Sequence, residues 1–206
     1  MSQVWVAGEV LIDLIPDGSE RKPIVGGGPA NTVKALSKLG IDTQFINGIS
    51  SDQHGQMAKD ELVTSGVKLD YVKFSDKPTC LAIVSLSDSG SASYKFVIEN
   101  TATFDFTSDW LPNPKSEGPS LLHIGTLATA IEPGASVLFE WAQSVAKVAP
   151  IVFDPNIRPA VISDRKQYVK QVERWVSISS AVKVSDEDIR WLYPSFEIEQ
   201  SSSLDQ

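Results

Sequence analysis

The chain has one cysteine, Cys80, and two histidines, His54 and His123, among 206 residues. A single thiol cannot close an internal disulfide, and two imidazoles far apart in sequence are a poor start for a zinc centre. A reducing, cytoplasmic setting fits. Basic residues are also in deficit, with 18 Lys plus Arg against 26 Asp plus Glu, a net charge of −8. Such a chain is repelled by phosphate backbones and anionic lipid, which sets aside nucleic acid and membrane surfaces as partners. No apolar run approaches the ~18 residues that a spanning helix requires. The N-terminal run to Ile15 is broken by Glu9 and Asp13 and has no basic residues before it, unlike a secretion signal. With 42% hydrophobic and 21% charged residues, the composition argues for a folded domain rather than disorder.

What is present reads as alternating strands and helices. Val4, Val6 and the run Val10–Ile15 read as buried strand, and Ile24–Val25 as a short second one before Gly26-Gly27-Gly28. Pro29 suits the first turn of a helix carrying Val33, Leu36 and Leu39 inward and stopping at Gly40. A strand over Gln44–Ile49 and a helix over about Gln53–Ser65 follow. Such alternation implies a parallel sheet. Between Thr79 and Phe106 the pattern changes: Cys80–Leu86 and Ser93–Ile98 read as an antiparallel hairpin about the turn Ser87-Asp88-Ser89-Gly90. Tyr94, Phe96 and Ile98 give that hairpin one apolar face in need of cover, as a lid, a subunit contact or both. Alternation then resumes with strand Leu121–Ile124, a helix with an apolar stripe from Val137 to Ala149, strand Ile151–Phe153, helix Lys166–Val176, strand Ala181–Val184 and short helix Glu187–Leu192. A polar tail ending at Gln206 closes the chain.

In an open parallel sheet, ligands bind beyond the carboxyl ends of the strands, and four polar clusters are expected there. Gly26 to Asn31 places bare amides at a helix N-terminus, where an oxygen-rich ligand can come close; an ordinary tight turn reads equally well. As a dinucleotide fingerprint it fails, because Asn31 replaces the last glycine of G-x-G-x-x-G. Asn31 can instead hydrogen-bond vicinal hydroxyls. Asp13, a carboxylate within an apolar run, either caps a backbone turn or accepts from ligand hydroxyls. Arg158, stiffened by prolines on either side, presents a planar fork to a phosphate or forms an ion pair with Asp154 or Glu132. Ser185 to Asp188 reads as a helix N-cap with an acidic first turn, and His54 and His123 as structural.

These motifs together resemble the ribokinase-like, PfkB-type carbohydrate kinases, most of all their bacterial fructokinase branch. The resemblance rests on Gly8-Glu9 with Asp13, Gly26 to Asn31, Leu39-Gly40, Phe45 to Gly55, the hairpin, Asp154-Pro155-Asn156 with Arg158, and Lys183-Val184-Ser185. It implies an α/β, Rossmann-like, largely parallel sheet flanked by helices and covered by a small β-strand lid. Residues 1–206 are then the N-terminal portion of a single such domain, with lid strands at about 14–25 and 79–106 inserted in it. The activity implied is transfer of the γ-phosphoryl group of ATP, with Mg²⁺, to a sugar hydroxyl. Asp13, Gly27, Gly28 and Asn31 would hold the sugar, with Arg158 near the transferring phosphate. Asn156, Lys183, Ser185 and Asp188 would lie on the nucleotide side, Asp188 next to the metal. The hairpin would close over the sugar and pair subunits. The family's Gly-Ala-Gly-Asp turn, which supplies the catalytic base, does not occur in the sequence. The base is therefore expected beyond Gln206, in a part of the family's chain that an incomplete, C-terminally truncated sequence lacks. Other readings stay open: a noncatalytic sugar-binding or dimerising remnant, a kinase for 2-keto-3-deoxygluconate or aminoimidazole riboside, and, on the glycine cluster alone, an oxidoreductase.

Overall fold

The computed structural model describes residues 3–86 and 92–196. The expected turn at Ser87–Gly90 and the polar tail from Glu197 to Gln206 lie outside the described residues, so the expectation of a catalytic base beyond Gln206 meets no structural observation. The chain runs β1 (Val4–Ala7), β2 (Leu11–Asp17), β3 (Glu20–Gly26), α1 (Gly28–Lys38), β4 (Thr43–Ser50), α2 (Gln53–Thr64), β5 (Val72–Ser75), β6 (Leu81–Leu86), β7 (Ala92–Val97), α3 (Pro114–Glu117), β8 (Leu121–Gly125), α4 (Gly134–Val145), β9 (Ile151–Asp154), α5 (Arg165–Val176), β10 (Ala181–Val182) and α6 (Asp186–Leu192). Six strands form one sheet in the order β10-β9-β8-β1-β4-β5, every pairing parallel. The other four form a separate mixed sheet, β3-β2-β6-β7. This is the ribokinase-like α/β architecture, a parallel sheet between helices with a small β-sheet lid. No helix among the described residues is long and apolar enough to cross a membrane.

Register sorts the parallel sheet into two faces, since paired residues of parallel strands point the same way. Val6 and Phe45 pack with Ala30 and Val33 of α1 and with Ala58 and Leu62 of α2. Trp5, Ile46, Leu122, Ile124, Ile151 and Phe153 point to the opposite face, against Leu138, Trp141 and Val145 of α4 and Val172 and Trp175 of α5. There Trp5 stacks on Trp141 with ring centroids 5.9 Å apart, and Phe153 stacks on Trp175 at the same separation. The strands read as near-continuous apolar runs because both faces are covered.

Four sequence expectations change. Val4–Ile15 is not one strand: Gly8 (φ 143°) and Glu9 break it, and Asp13 falls on β2 of the second sheet rather than at the carboxyl edge of the first. Ile24–Val25 is the end of the seven-residue β3, whose charged start and Pro23 are tolerated because β3 is an edge strand. Leu39 is 78% exposed rather than inward, and Val148 and Val176 are likewise exposed, each lying at the last turn of its helix or beyond it. The short strand β5, which pairs with β4, carries too few alternating apolar residues to be seen in sequence.

One carboxylate ties the parallel sheet to the start of the lid. Asp52 caps α2 by accepting from the Gly55 amide at 2.8 Å, and it also accepts from the Thr79 amide at 2.9 Å and hydroxyl at 2.6 Å, just before β6. Burial pushes its carboxyl up, but these donors outweigh burial and hold it at about 2, below the ordinary 3.8. The unfolded chain therefore binds this proton more tightly, and the stabilisation present above pH 3.8 is lost as pH falls to about 2. Denaturation midpoints measured across that window should fall with pH. Asp52→Asn should make the fall shallower; an unchanged slope would show that the carboxylate contributes nothing.

Candidate functional site

Beyond the carboxyl ends of β8 and β9, a cleft of about 470 Å³ opens between the two sheets, lined by Glu9, Leu11, Asp13, Gly27, Gly28, Asn31, Tyr94, Phe96, Thr126, Leu127, Asn156 and Arg158. The chain reversal at β3–α1 brings Asp13 and Asn31 to the same space. Gly27, at φ 105°, is the N-cap of α1 and offers no capping side chain, so the first amides of the helix stay open at the cleft. The glycines are also required by space. A Cβ on Gly26 would lie 2.1 Å from Asp13 Oδ2, one on Gly27 2.5 Å from the Glu9 carbonyl, and one on Gly28 2.8 Å from Thr126 Cγ2.

Asp13 resolves the first open alternative. It is half-buried in mid-strand, and among the described residues no donor reaches its carboxylate. It caps no turn. Burial alone pushes its carboxyl above the ordinary range. A carboxylate that is desolvated without a protein partner, with its acceptor positions turned to a cleft, is suited to ligand hydroxyls.

Arg158 resolves the second. Its Nη1 donates to the backbone carbonyls of Ile157 at 2.9 Å and Asn156 at 3.3 Å, and neither Asp154 nor Glu132 pairs with it. Asp154 is held by Lys183 instead, Oδ2 to Nζ at 3.2 Å. Asn156 and Arg158 also line a neighbouring cleft of about 290 Å³ with Ile157, Pro159, Ser185, Glu187, Asp188 and Trp191.

In that second cleft the capping reading of Ser185 to Asp188 holds. Ser185 Oγ accepts from the Asp188 amide at 3.1 Å, and Asp188 Oδ2 accepts from the Ser185 amide at 3.2 Å and hydroxyl at 2.7 Å. Asp188 Oδ1 is taken by the Ile157 amide at 2.8 Å. Both oxygens of Asp188 are thus committed within the protein, and no group of three metal-ligating side chains occurs among the described residues. Lys183 borders neither cleft, and its ammonium is largely exposed.

Sequence reasoning passed over Glu9 and Thr126 as site residues. Glu9 is 3% exposed at the bottom of the cleft, where it accepts from the Thr126 hydroxyl and from the Ala128 amide at 3.2 Å. Burial raises its carboxyl above the ordinary range, with these bonds opposing. Thr126 immediately follows β8, so the carboxyl-end rule that selected the other clusters would also have found it.

The fold is that of an α/β protein with a cleft between a parallel sheet and a small mixed one. Comparison with known proteins narrows this: the profile of the pfkB family carbohydrate kinases matches residues 1–204, and the chain belongs to that family. It is 33% identical over 193 residues to a fructokinase of Rhizobium leguminosarum bv. trifolii, covering 91% of this chain and 59% of that protein. A fructokinase of Klebsiella pneumoniae is 28% identical over 199 residues, 95% of this chain and 64% of its own length. Among solved structures, fructokinase with bound ATP from Xylella fastidiosa superposes with a TM-score of 0.84 at 26% identity, over 92% of this chain and 60% of that one. Fructokinase from Vibrio cholerae O395 in its fructose, ADP and calcium ion bound form gives 0.80 at 27% identity, over 96% and 65%. The chain therefore spans less than two thirds of the length of these relatives.

The unpartnered Asp13 should cost stability at neutral pH. Asp13→Asn is expected to raise the denaturation midpoint at pH 7, by under about 2 kcal/mol because the carboxylate is still partly in water. Because the folded-state value is raised, ionisation opposes folding, so the gain should vanish at low pH, where Asp13 is protonated in both states. A loss of stability at pH 7 would mean that Asp13 has a protein partner after all.

Proposed function

We propose that residues 1–206 form the sugar-binding part of an ATP-dependent fructokinase-type kinase. The observation that carries this reading is the shared cleft: Asp13, Asn31, the open amides at Gly27 and Gly28, and the guanidinium of Arg158 all face one space of a size suited to a small polyol. Asp13 would accept from sugar hydroxyls, Asn31 would both donate and accept, and the helix amides would donate. Tyr94 and Phe96, stacked at 6.2 Å on β7, would cover the apolar face of the sugar and exclude water. Ile24, exposed on the lid face that also carries Phe96, would be covered if two copies paired through the lid.

When bound, ATP supplies the transferred phosphoryl group and Mg²⁺ screens its charge. The residues here fit the phosphate end: Arg158 and Asn156 stand between the sugar cleft and the neighbouring one, and Ser185 lines the latter. Asp188, which accepts from the Ile157 amide and from Ser185, would reach a metal through its remaining lone pairs or through metal-bound water. No Gly-Ala-Gly-Asp turn occurs between Met1 and Gln206 to supply a proton acceptor.

Calorimetric titration of the purified chain with fructose should show binding, and Asp13→Ala and Asn31→Ala should each weaken it by roughly tenfold or more. A coupled assay with fructose and ATP should show no turnover. Binding without turnover supports the reading; absence of binding to the wild-type chain overturns the sugar site, and turnover overturns the external base. Tighter binding of 2-keto-3-deoxygluconate or aminoimidazole riboside than of fructose would reassign the substrate.

A further inference from the structure

Glu9 is an odd residue to bury beneath a polyol cleft, since it lies below the surface and its carboxylate points at the turn that follows β8. That turn, Thr126–Thr129, is a single 3-10 turn whose N-cap is Gly125, which has no side chain to satisfy the free amides. Glu9 satisfies them from a distance of more than a hundred residues in sequence: one oxygen takes the Ala128 amide at 3.2 Å and the other takes the Thr126 hydroxyl.

Thr126 is held in the left-handed region at φ 59°, a conformation that a β-branched residue avoids when left to itself. Two contacts keep it there. Its carbonyl accepts from the Thr129 hydroxyl at 2.7 Å, and its own hydroxyl is fixed by Glu9. Held so, Thr126 directs its methyl group at the first residue of α1: a Cβ on Gly28 would meet Thr126 Cγ2 at 2.8 Å and Asn156 Nδ2 at 3.5 Å. Thr126 thereby sets how far the helix amides stand from Asn156 and Arg158.

We propose that Glu9 is a positioning residue for the sugar, acting through Thr126, which it locks in the left-handed conformation that spaces the α1 amides from the Asn156 wall. The inference rests on the sugar-binding reading above and assigns that site a residue that acts through Thr126.

The test is fructose titration of the wild-type chain, Glu9→Gln, Thr126→Val, Thr126→Ser and the Glu9→Gln/Thr126→Val double variant, with the melting midpoint of each. Valine keeps the shape of Thr126 and removes the hydroxyl, so Glu9→Gln and Thr126→Val should each weaken fructose binding by roughly tenfold to a hundredfold. The double variant should be no weaker than the weaker single one, because both break one contact. Thr126→Ser keeps the hydroxyl that Glu9 fixes but removes the methyl group that meets Gly28, so it too should weaken fructose binding, with a melting midpoint closer to that of the wild type. Should Glu9→Gln fail to fold, the valine and serine variants decide alone. Lower melting midpoints with unchanged affinity would make Glu9 a merely structural residue and overturn the proposal, as would losses that multiply in the double variant. A wild-type chain that does not bind fructose would overturn the sugar site itself, an outcome distinct from silent variants of a chain that binds.

Discussion

The site depends on a backbone crossing that leaves no room for a side chain. Where the chain leaves β1 for the lid it passes the start of α1, and the contacts are reciprocal. A Cβ on Gly8 would lie 2.3 Å from Pro29 Cγ, while one on Gly27 would lie 2.5 Å from the Glu9 carbonyl. Both glycines also have φ values that L-residues rarely adopt, 143° and 105°. The chain enters β2 just past this crossing, and Asp13 on β2 lines the same cleft as Asn31 of α1.

Hydrogen-bond satisfaction then separates the carboxylates that hold the fold from Asp13. Asp52, Asp188 and Glu9 each accept two or more bonds from the protein, and each joins segments distant in sequence. Asp13 has no donor among the described residues and still bears a desolvation cost. A fold retains such a group against its own stability only where another requirement opposes its loss. By the same criterion Asp188 acts as a cap within the protein, as its place in Ser-Asp-Glu-Asp suggests.

Much of this was legible in the sequence, and what was not has physical causes. Helix α1 with Pro29 inside its first turn and Gly40 beyond its end, the core stripe Leu138, Trp141, Ala142 and Val145, and the parallel strands follow from periodicity and capping, which are local. Asp13 and Asn31 could be named from residue chemistry and the family resemblance. The break at Gly8-Glu9 could not, because an apolar run reads the same whether it continues in one sheet or passes to another. Thr126 was passed over although its place just after β8 marked it; its hydrogen bond to Glu9, 117 positions away, is the part that neighbouring residues do not reveal. Leu39, Val148 and Val176 were misplaced because hydrophobic spacing persists to the end of a helix after the helix has run past the sheet that it covers.

The wall between the two clefts shows how a charge can be kept available. Asn156 takes a left-handed φ of 38°, which asparagine tolerates better than most residues, and so turns the chain sharply at the end of β9. Arg158 emerges two residues later with one guanidinium nitrogen held by the carbonyls of Asn156 and Ile157. Neutral carbonyls fix the orientation of the side chain without cancelling its charge, whereas an ion pair with Asp154 would have done both. Lys183 removes that competitor by pairing with Asp154 itself. The guanidinium is therefore oriented without an ion pair to Asp154, feels the charge of the buried Glu9 carboxylate, and stands on the wall of both clefts.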